Sequence, residues 1–410
     1  MDIFSQYKGL PKQVYIICGS RMVTAMGGFI YSFNSLFMTG ILGISEVTTG
    51  YLLIIYSLAG VAGAFICGRL ADMYGRKKIF ALTMGLAVSS LIICGFFVYS
   101  KITIFFLMVI SFCGSGFLPT CAAMVTDSTT ADNRRESFSL MFLCINLGFA
   151  MGQVFAGRLF YNYIRWIFWG QAIFFGASTI LLLTLTKETY IPTGRRGGET
   201  KAKHKGVIKA IIRDKVLVLF LLAVLLSYGC YVQINYMMPL HFNSCLGLED
   251  SAKWVSNVWM INGLFCVIWS PVLLRLTNKF SQTVNMAIAA VMYIVGFGAF
   301  SLVTDASNLW ITLVATAIWT AGETLISTGS GVFIGGRAPE EHRAAFQSLF
   351  EVFGNLGRCI GPVSMGYFLT GFSYQAGWVV VSGICVLMMF IMLIAIYIDK
   401  GERDEQSIKC

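Results

Sequence analysis

Two stretches, Val216–Tyr228 and Gly377–Ile398, carry no charged residue and almost no strongly polar one. A helix needs about 20 mainly apolar residues to cross the hydrocarbon of a bilayer. Across the chain 57% of residues are hydrophobic and 12% charged, whereas soluble domains carry roughly 25% charged residues. A water-soluble fold has no interior large enough for that much apolar surface, so the bilayer is the solvent. Twelve spans are predicted, at 14–38, 47–68, 79–99, 102–126, 138–160, 165–186, 216–241, 254–274, 284–303, 307–334, 344–370 and 376–398. Exposed irregular backbone is excluded at membrane depth because its amides go unsatisfied there. Short connections between these spans therefore imply antiparallel helices and an all-α integral membrane protein.

The net charge of +10 does not point to nucleic acid, because its distribution is one-sided. If the chain starts on the cytoplasmic side, that side collects Lys8, Lys12, Arg69, Arg76, Lys77, Lys78, Arg134, Arg135, Arg275, Lys279, Arg337 and Arg343, and the opposite side only Lys101, Arg158, Arg165 and Lys253. The positive-inside rule then places both termini in the cytoplasm. Met1–Lys12 lacks a short apolar core followed by a small-residue cleavage site, so no signal peptide is expected. The twelve cysteines are scattered singly without metal-like spacing, as small hydrophobes in helices would be. There is no phosphate loop with a lysine, no metal cluster and no nucleophile triad, and no enzyme activity or metal is expected.

The polar segment Lys187–Lys215 divides the chain into residues 1–186 and 216–410, each with six predicted spans. Its later part, Lys205–Lys215, suits either a helix lying on an anionic leaflet or a flexible tether. The halves echo one another at an offset of 209: Asn146-Leu147-Gly148, Gly152 and Gly157 match Asn355-Leu356-Gly357, Gly361 and Gly366. Arg69-Leu70-Ala71-Asp72 has a weaker echo in Arg275-Leu276-Thr277-Asn278. Such repeats mark transporter folds with the substrate site between the halves.

Gly68-Arg69-Leu70-Ala71-Asp72-Met73-Tyr74-Gly75-Arg76-Lys77-Lys78 falls between the second and third predicted spans. Gly68 is expected to permit close helix approach and Gly75 a tight turn, while Asp72 and Arg76 supply charged hydrogen bonds to helix ends, a latch on one conformation. This segment resembles the signature loop of the major facilitator superfamily, and the likeness extends over the whole chain in span number, central loop and half-repeats. Within that superfamily the chain is most similar to the drug/proton antiporters, through Ala123-Met124-Val125-Thr126-Asp127 and Gly322-Glu323. It departs from them in lacking an arginine in Leu107–Ala122, and in having Gly152-Gln153 where the signature has Gly-Pro. The resemblance implies two pseudo-symmetric six-helix bundles and a monomer in the cell (inner or plasma) membrane. It further implies export of small amphipathic compounds driven by a proton gradient, with no cofactor.

A charge at a helix centre costs about 2.5–3.5 kcal/mol unless paired or hydrated. Glu323 and Arg358 stand midway along the tenth and eleventh spans, as a proton-coupling site or as a static ion pair between helices. Arg21 and Asp127 form a second candidate pair nearer the cytoplasm, with loop capping by Arg134 and Arg135 as the other role for Asp127. Glu351 precedes Arg358 by seven residues on the same helical face and is a relay or gate candidate. Tyr31, Asn34, Gln153, Tyr231, Gln233, Asn235, Asn262 and Trp319 are candidates for the substrate cavity, because aromatic walls with scattered amides suit amphipathic, planar or cationic ligands. A carrier of a specific metabolite, with Arg358 as counter-ion to an anion, and a non-transporting receptor are the alternatives.

Overall fold

The computed structural model describes residues 7–130, 133–188, 214–277, 279–337 and 343–409. Most of the central loop, with the Lys205–Arg213 part of its amphipathic stretch, lies outside the described residues. Among them there is no strand, and the spans are helices joined by short turns. In chain order spans 1 to 6 are Lys12–Ile41, Glu46–Tyr74, Arg76–Phe96, Ile102–Asp127, Arg134–Leu159 and Ile164–Leu185. Spans 7 to 12 are Lys215–Leu246, Leu248–Thr277, Gln282–Phe300, Trp310–Arg337, Arg343–Leu369 and Tyr374–Lys409. Eleven of these are long and apolar enough to cross a membrane. Span 11 reaches 27 residues, but its apolar character is diluted by Glu351, Asn355 and Arg358.

The chain divides into two compact units, Met1–Pro192 with Met238–Val267, and Thr193–Met237 with Ile268–Cys410. In the first, span 5 packs on span 1 through glycines. A methyl group at Gly148 would come 2.3 Å from the Met22 carbonyl oxygen, and one at Gly152 2.1 Å from that of Met26. In the second, span 11 packs on span 7 in the same way, Gly357 facing the Leu225 carbonyl at 2.2 Å and Gly361 that of Gly229 at 2.7 Å. The repeat visible in the sequence is thus the pair of glycine ridges that let each helix reach its partner's backbone.

Spans 1 and 7 are both interrupted. Span 1 is α-helical over Lys12–Met26, turns at Gly27 and Gly28, and continues as a 3-10 turn at Ile30–Phe33 and a π-helical turn at Phe37–Ile41. Span 7 is α-helical over Lys215–Tyr231, 3-10 over Val232–Ile234 and α-helical again from Met237. Each break releases backbone groups that lipid cannot satisfy. At the span 1 break buried glutamines replace them: Gln153 Nε2 donates to the Gly28 carbonyl at 3.2 Å, and Ile30 N–H donates to Gln171 Oε1 at 3.2 Å. At the span 7 break Gln233 Nε2 donates to the Gly229 carbonyl at 3.2 Å. Met238–Val267 joins the first unit closely. A methyl at Gly263 would meet Ala150 Cβ at 2.7 Å, and Ser256 Oγ donates to the Gln153 carbonyl.

Candidate functional site

In the second unit, span 10 is oriented by Gly322, where a methyl group would stand 2.9 Å from the Ala289 carbonyl and 2.8 Å from the Tyr293 ring of span 9. The next residue is rotated by about 100°, and this turns Glu323 toward span 7. There its Oε1 accepts the Tyr231 hydroxyl at 2.9 Å. One turn earlier on span 10 is Trp319, fully buried, with its ring 5.8 Å from that of Tyr231 and 6.0 Å from that of Phe297. Glu323 therefore sits on an aromatic wall.

Arg358 does not take Glu323 as its partner. Its guanidinium lies over the Tyr228 ring at 4.1 Å and its Nη1 donates to Asn355 Oδ1 at 3.1 Å. Tyr228 and Tyr231 are three residues apart and share a face of span 7, so the acid and the base each meet their own tyrosine. Glu351 is exposed. Gln233 is buried and holds its own helix break, with its Oε1 unclaimed, and Asn235 follows half-buried.

The first unit carries a different interior. The Arg21 guanidinium lies 4.4 Å from the Phe117 ring centroid, and its buried Nε has no hydrogen-bond partner. The expected pairing of Arg21 with Asp127 does not form: Asp127 accepts Arg76 Nη1. The physical reason is reach. Asp127 closes the helical part of span 4 beside the turn after span 2, whereas Arg21 lies deeper, beside Phe117 at the Gly116 irregularity of the same span. Tyr31, Phe149 and Trp259 form an edge-to-face aromatic cluster with centroids 5.5–6.5 Å apart. Asn34 and Asn262 are buried in this unit, and Gln153 serves the span 1 break.

The signature loop holds its unit together at one end. Gly75 has φ +102°, a conformation that side-chain-bearing residues avoid. The turn presents Arg76 and Lys77 N–H to the Glu188 carboxylate at 3.3 and 3.0 Å. Lys77 Nζ caps span 6 through the carbonyls of Leu183 and Thr186, each at 2.7 Å, the favourable place for a cation at a helix C-terminus. Arg134 donates to the Thr126 and Thr129 carbonyls at 3.3 Å. Gly68 does not mediate close approach as expected: a methyl group there would meet no described atom within 4 Å, because that face of span 2 has no packed neighbour. Asp72 lies on the last turn of span 2, and its side chain is outside the described residues.

The second unit has a counterpart without a recognisable loop motif. Arg337, closing span 10, donates to Asp214 Oδ1 at 2.8 Å and to Asp399 Oδ1, with Asp399 buried. Asp214 also caps span 7 by accepting Leu217 N–H at 2.9 Å. The sequence does not reveal this cluster, nor Tyr228, a substrate-contact candidate of the seventh span, as the partner of Arg358. Asp214 and Asp399 flank polar segments there and read as loop and tail charges.

The sequence profile of the Major Facilitator Superfamily matches residues 17–362 and 286–409. This chain belongs to that superfamily. A Na(+), Li(+), K(+)/H(+) antiporter of Planococcus maritimus is 24% identical over 375 residues, covering 83% of this chain and 87% of the relative. A probable efflux pump of Aspergillus flavus is 29% identical over 155 residues, 37% of this chain and 36% of its own. Among solved structures, a POT family transporter in complex with 5-aminolevulinic acid superposes with a TM-score of 0.80 at 14% identity, covering 95% of this chain and 96% of the other. The fold is therefore the all-helical, twelve-span, two-bundle fold of the superfamily, and the chain is a multi-pass membrane transporter rather than an enzyme.

Proposed function

We propose that this transporter is a proton-coupled antiporter that exports small amphipathic, planar or cationic compounds by alternating access, with Glu323 as the proton carrier. The observation that carries the reading is Glu323 held by the Tyr231 hydroxyl on a wall of Trp319 and Tyr231, with Arg358 engaged by Tyr228 and Asn355. A carboxylate held by a neutral donor, not locked in an ion pair with Arg358, is able to lose its charge to a proton and to offer that charge to a cationic ligand. The aromatic faces supply the rest of such a ligand's contacts. The antiporter and efflux-pump names among the relatives agree with this reading. Loop, termini and the Gly75 turn are cytoplasmic in it, the chain is a monomer in the cell membrane, and the proton gradient is the energy source.

A second reading is favoured by the arginines. Arg21 and Arg358 lie over aromatic rings without a carboxylate in the described residues, and a specific anionic metabolite would use one of them as counter-ion. Purified protein in liposomes under an imposed pH gradient separates the two. Export of a lipophilic cation that collapses the gradient supports proton antiport. Gradient-independent flux confined to anions supports the second reading, and an alkali-cation flux would move the assignment toward the activity named for the Planococcus relative.

A further inference from the structure

At the end of the first unit remote from the Gly75 turn, the connections between spans 3 and 4 and between spans 5 and 6 enclose a pocket of about 280 Å³ lined by Tyr99, Asn162, Tyr163, Ile164, Arg165, Trp166 and Trp169. Drug-sized ligands fill cavities of about 300–1,000 Å³. This one is the size of a small polar headgroup. Its walls are interfacial aromatics: Trp166 and Trp169 stand edge to face at 5.8 Å, Trp169 leans on Phe96 at 5.4 Å, and Trp169 Nε1 is tied to the Ile92 carbonyl at 3.3 Å. The Trp169 ring is fixed further by Gly95, where a methyl group would overlap it at 2.1 Å.

In the topology proposed above, which puts this end opposite the cytoplasm, positive charge is unusual here. Of the four cations on this side, Lys253 is neutralised by Glu249 at 3.1 Å and Asp250 at 2.9 Å. The other three, Lys101, Arg158 and Arg165, fall within the two connections that form the pocket or at their edge, and none forms an ion pair among the described residues. Arg165 lines the aromatic recess without a carboxylate partner among the described residues, with Lys101 and Arg158 nearby in sequence, and an anion from outside the chain would complete it. Exposed Phe96, Phe97, Ile102 and Phe105 continue from the recess along the surface, an apolar track that suits acyl chains and not a free ion.

We propose that this pocket binds the headgroup of an anionic membrane phospholipid, its phosphodiester held by Arg165 and its acyl chains laid along the adjoining apolar surface. Native mass spectrometry of the detergent-purified protein with phosphatidylglycerol, diacylglycerol and glycerol 3-phosphate tests this. Wild-type protein should retain one equivalent of phosphatidylglycerol and no diacylglycerol, and glycerol 3-phosphate at equal concentration should not displace the lipid. Arg165→Gln should weaken retention roughly tenfold, as loss of a charged hydrogen bond does. Arg165→Lys should keep most of it, and Lys253→Gln should change nothing. Arg165 and Lys253 are both exposed, so the melting temperature without lipid should not move. Equal retention by Arg165→Gln would overturn the proposal, as would equal binding of diacylglycerol or full displacement by glycerol 3-phosphate.

Discussion

The two units share a packing frame and differ in what they hold inside it. Gly148 and Gly152 against span 1 correspond to Gly357 and Gly361 against span 7, and spans 1 and 7 both break at the level where those glycines end. Within that frame the first unit carries a half-buried arginine over a phenylalanine, and its glutamines serve the helix break. The second unit places Glu323, Arg358 and two tyrosines beside its break. The packing frame is common to both units, whereas an acid and an arginine each held by a tyrosine stand beside the break of span 7.

The comparison breaks most visibly if the glycine ridges are not equivalent. Gly148→Leu and Gly357→Leu should each cost about 3 kcal/mol or more, the upper range for overpacking, because each new side chain would meet a backbone carbonyl that cannot move aside. Fluorescence-detected size exclusion should show both variants largely lost from the monodisperse peak. Survival of only one would end the equivalence.

The clusters at the helix ends should separate next. Arg337→Ala leaves Asp214 and Asp399 close together with Asp399 buried, and removal of one partner from a buried charge cluster costs about 3–5 kcal/mol. Asp127→Asn removes a partner from Arg76 where the Asp127 side chain is 33% exposed, and screening limits that loss to about 1 kcal/mol. Thermal unfolding in detergent should therefore rank Arg337→Ala well below Asp127→Asn. For transport the order should reverse in meaning: Asp127→Asn should lower flux several-fold while the protein remains folded, since its loss frees the Gly75 turn from span 4.

The spans and the glycine repeat were legible in sequence because hydropathy and small-residue spacing are properties of single helices. The breaks were not, since Gly27-Gly28 and Val232–Asn235 interrupt the hydrogen-bond ladder without interrupting the apolar run. Glu323 and Arg358 were legible as charges within spans 10 and 11, but their partners were not. The facing of span 10 depends on Gly322 meeting Ala289 and Tyr293, a contact between helices that no local pattern encodes. The same limit made Arg21 and Asp127 look like a pair when Arg76, across the Gly75 turn, is the closer base.

A smaller effect sharpens the interior comparison. Tyr231→Phe keeps the ring against Trp319 and removes only the hydroxyl that Glu323 accepts. A hydrogen bond to a charged group contributes about 1.5–3 kcal/mol, so gradient-driven flux should fall about tenfold or more. Tyr31→Phe, on the aromatic cluster of the first unit, should change it less than about threefold. Parallel liposome assays on the two variants check the contrast, and equal losses would return coupling chemistry to both units.

The central claim, that Glu323 carries the proton, is tested most directly by Glu323→Gln in liposomes, with pH-gradient-driven export measured beside substrate counterflow. One proton moving through 100 mV supplies roughly 2.3 kcal/mol, about a fortyfold gradient of substrate. The account predicts that the variant loses that accumulation and still exchanges substrate down its gradient. Undiminished uphill export by Glu323→Gln would contradict it.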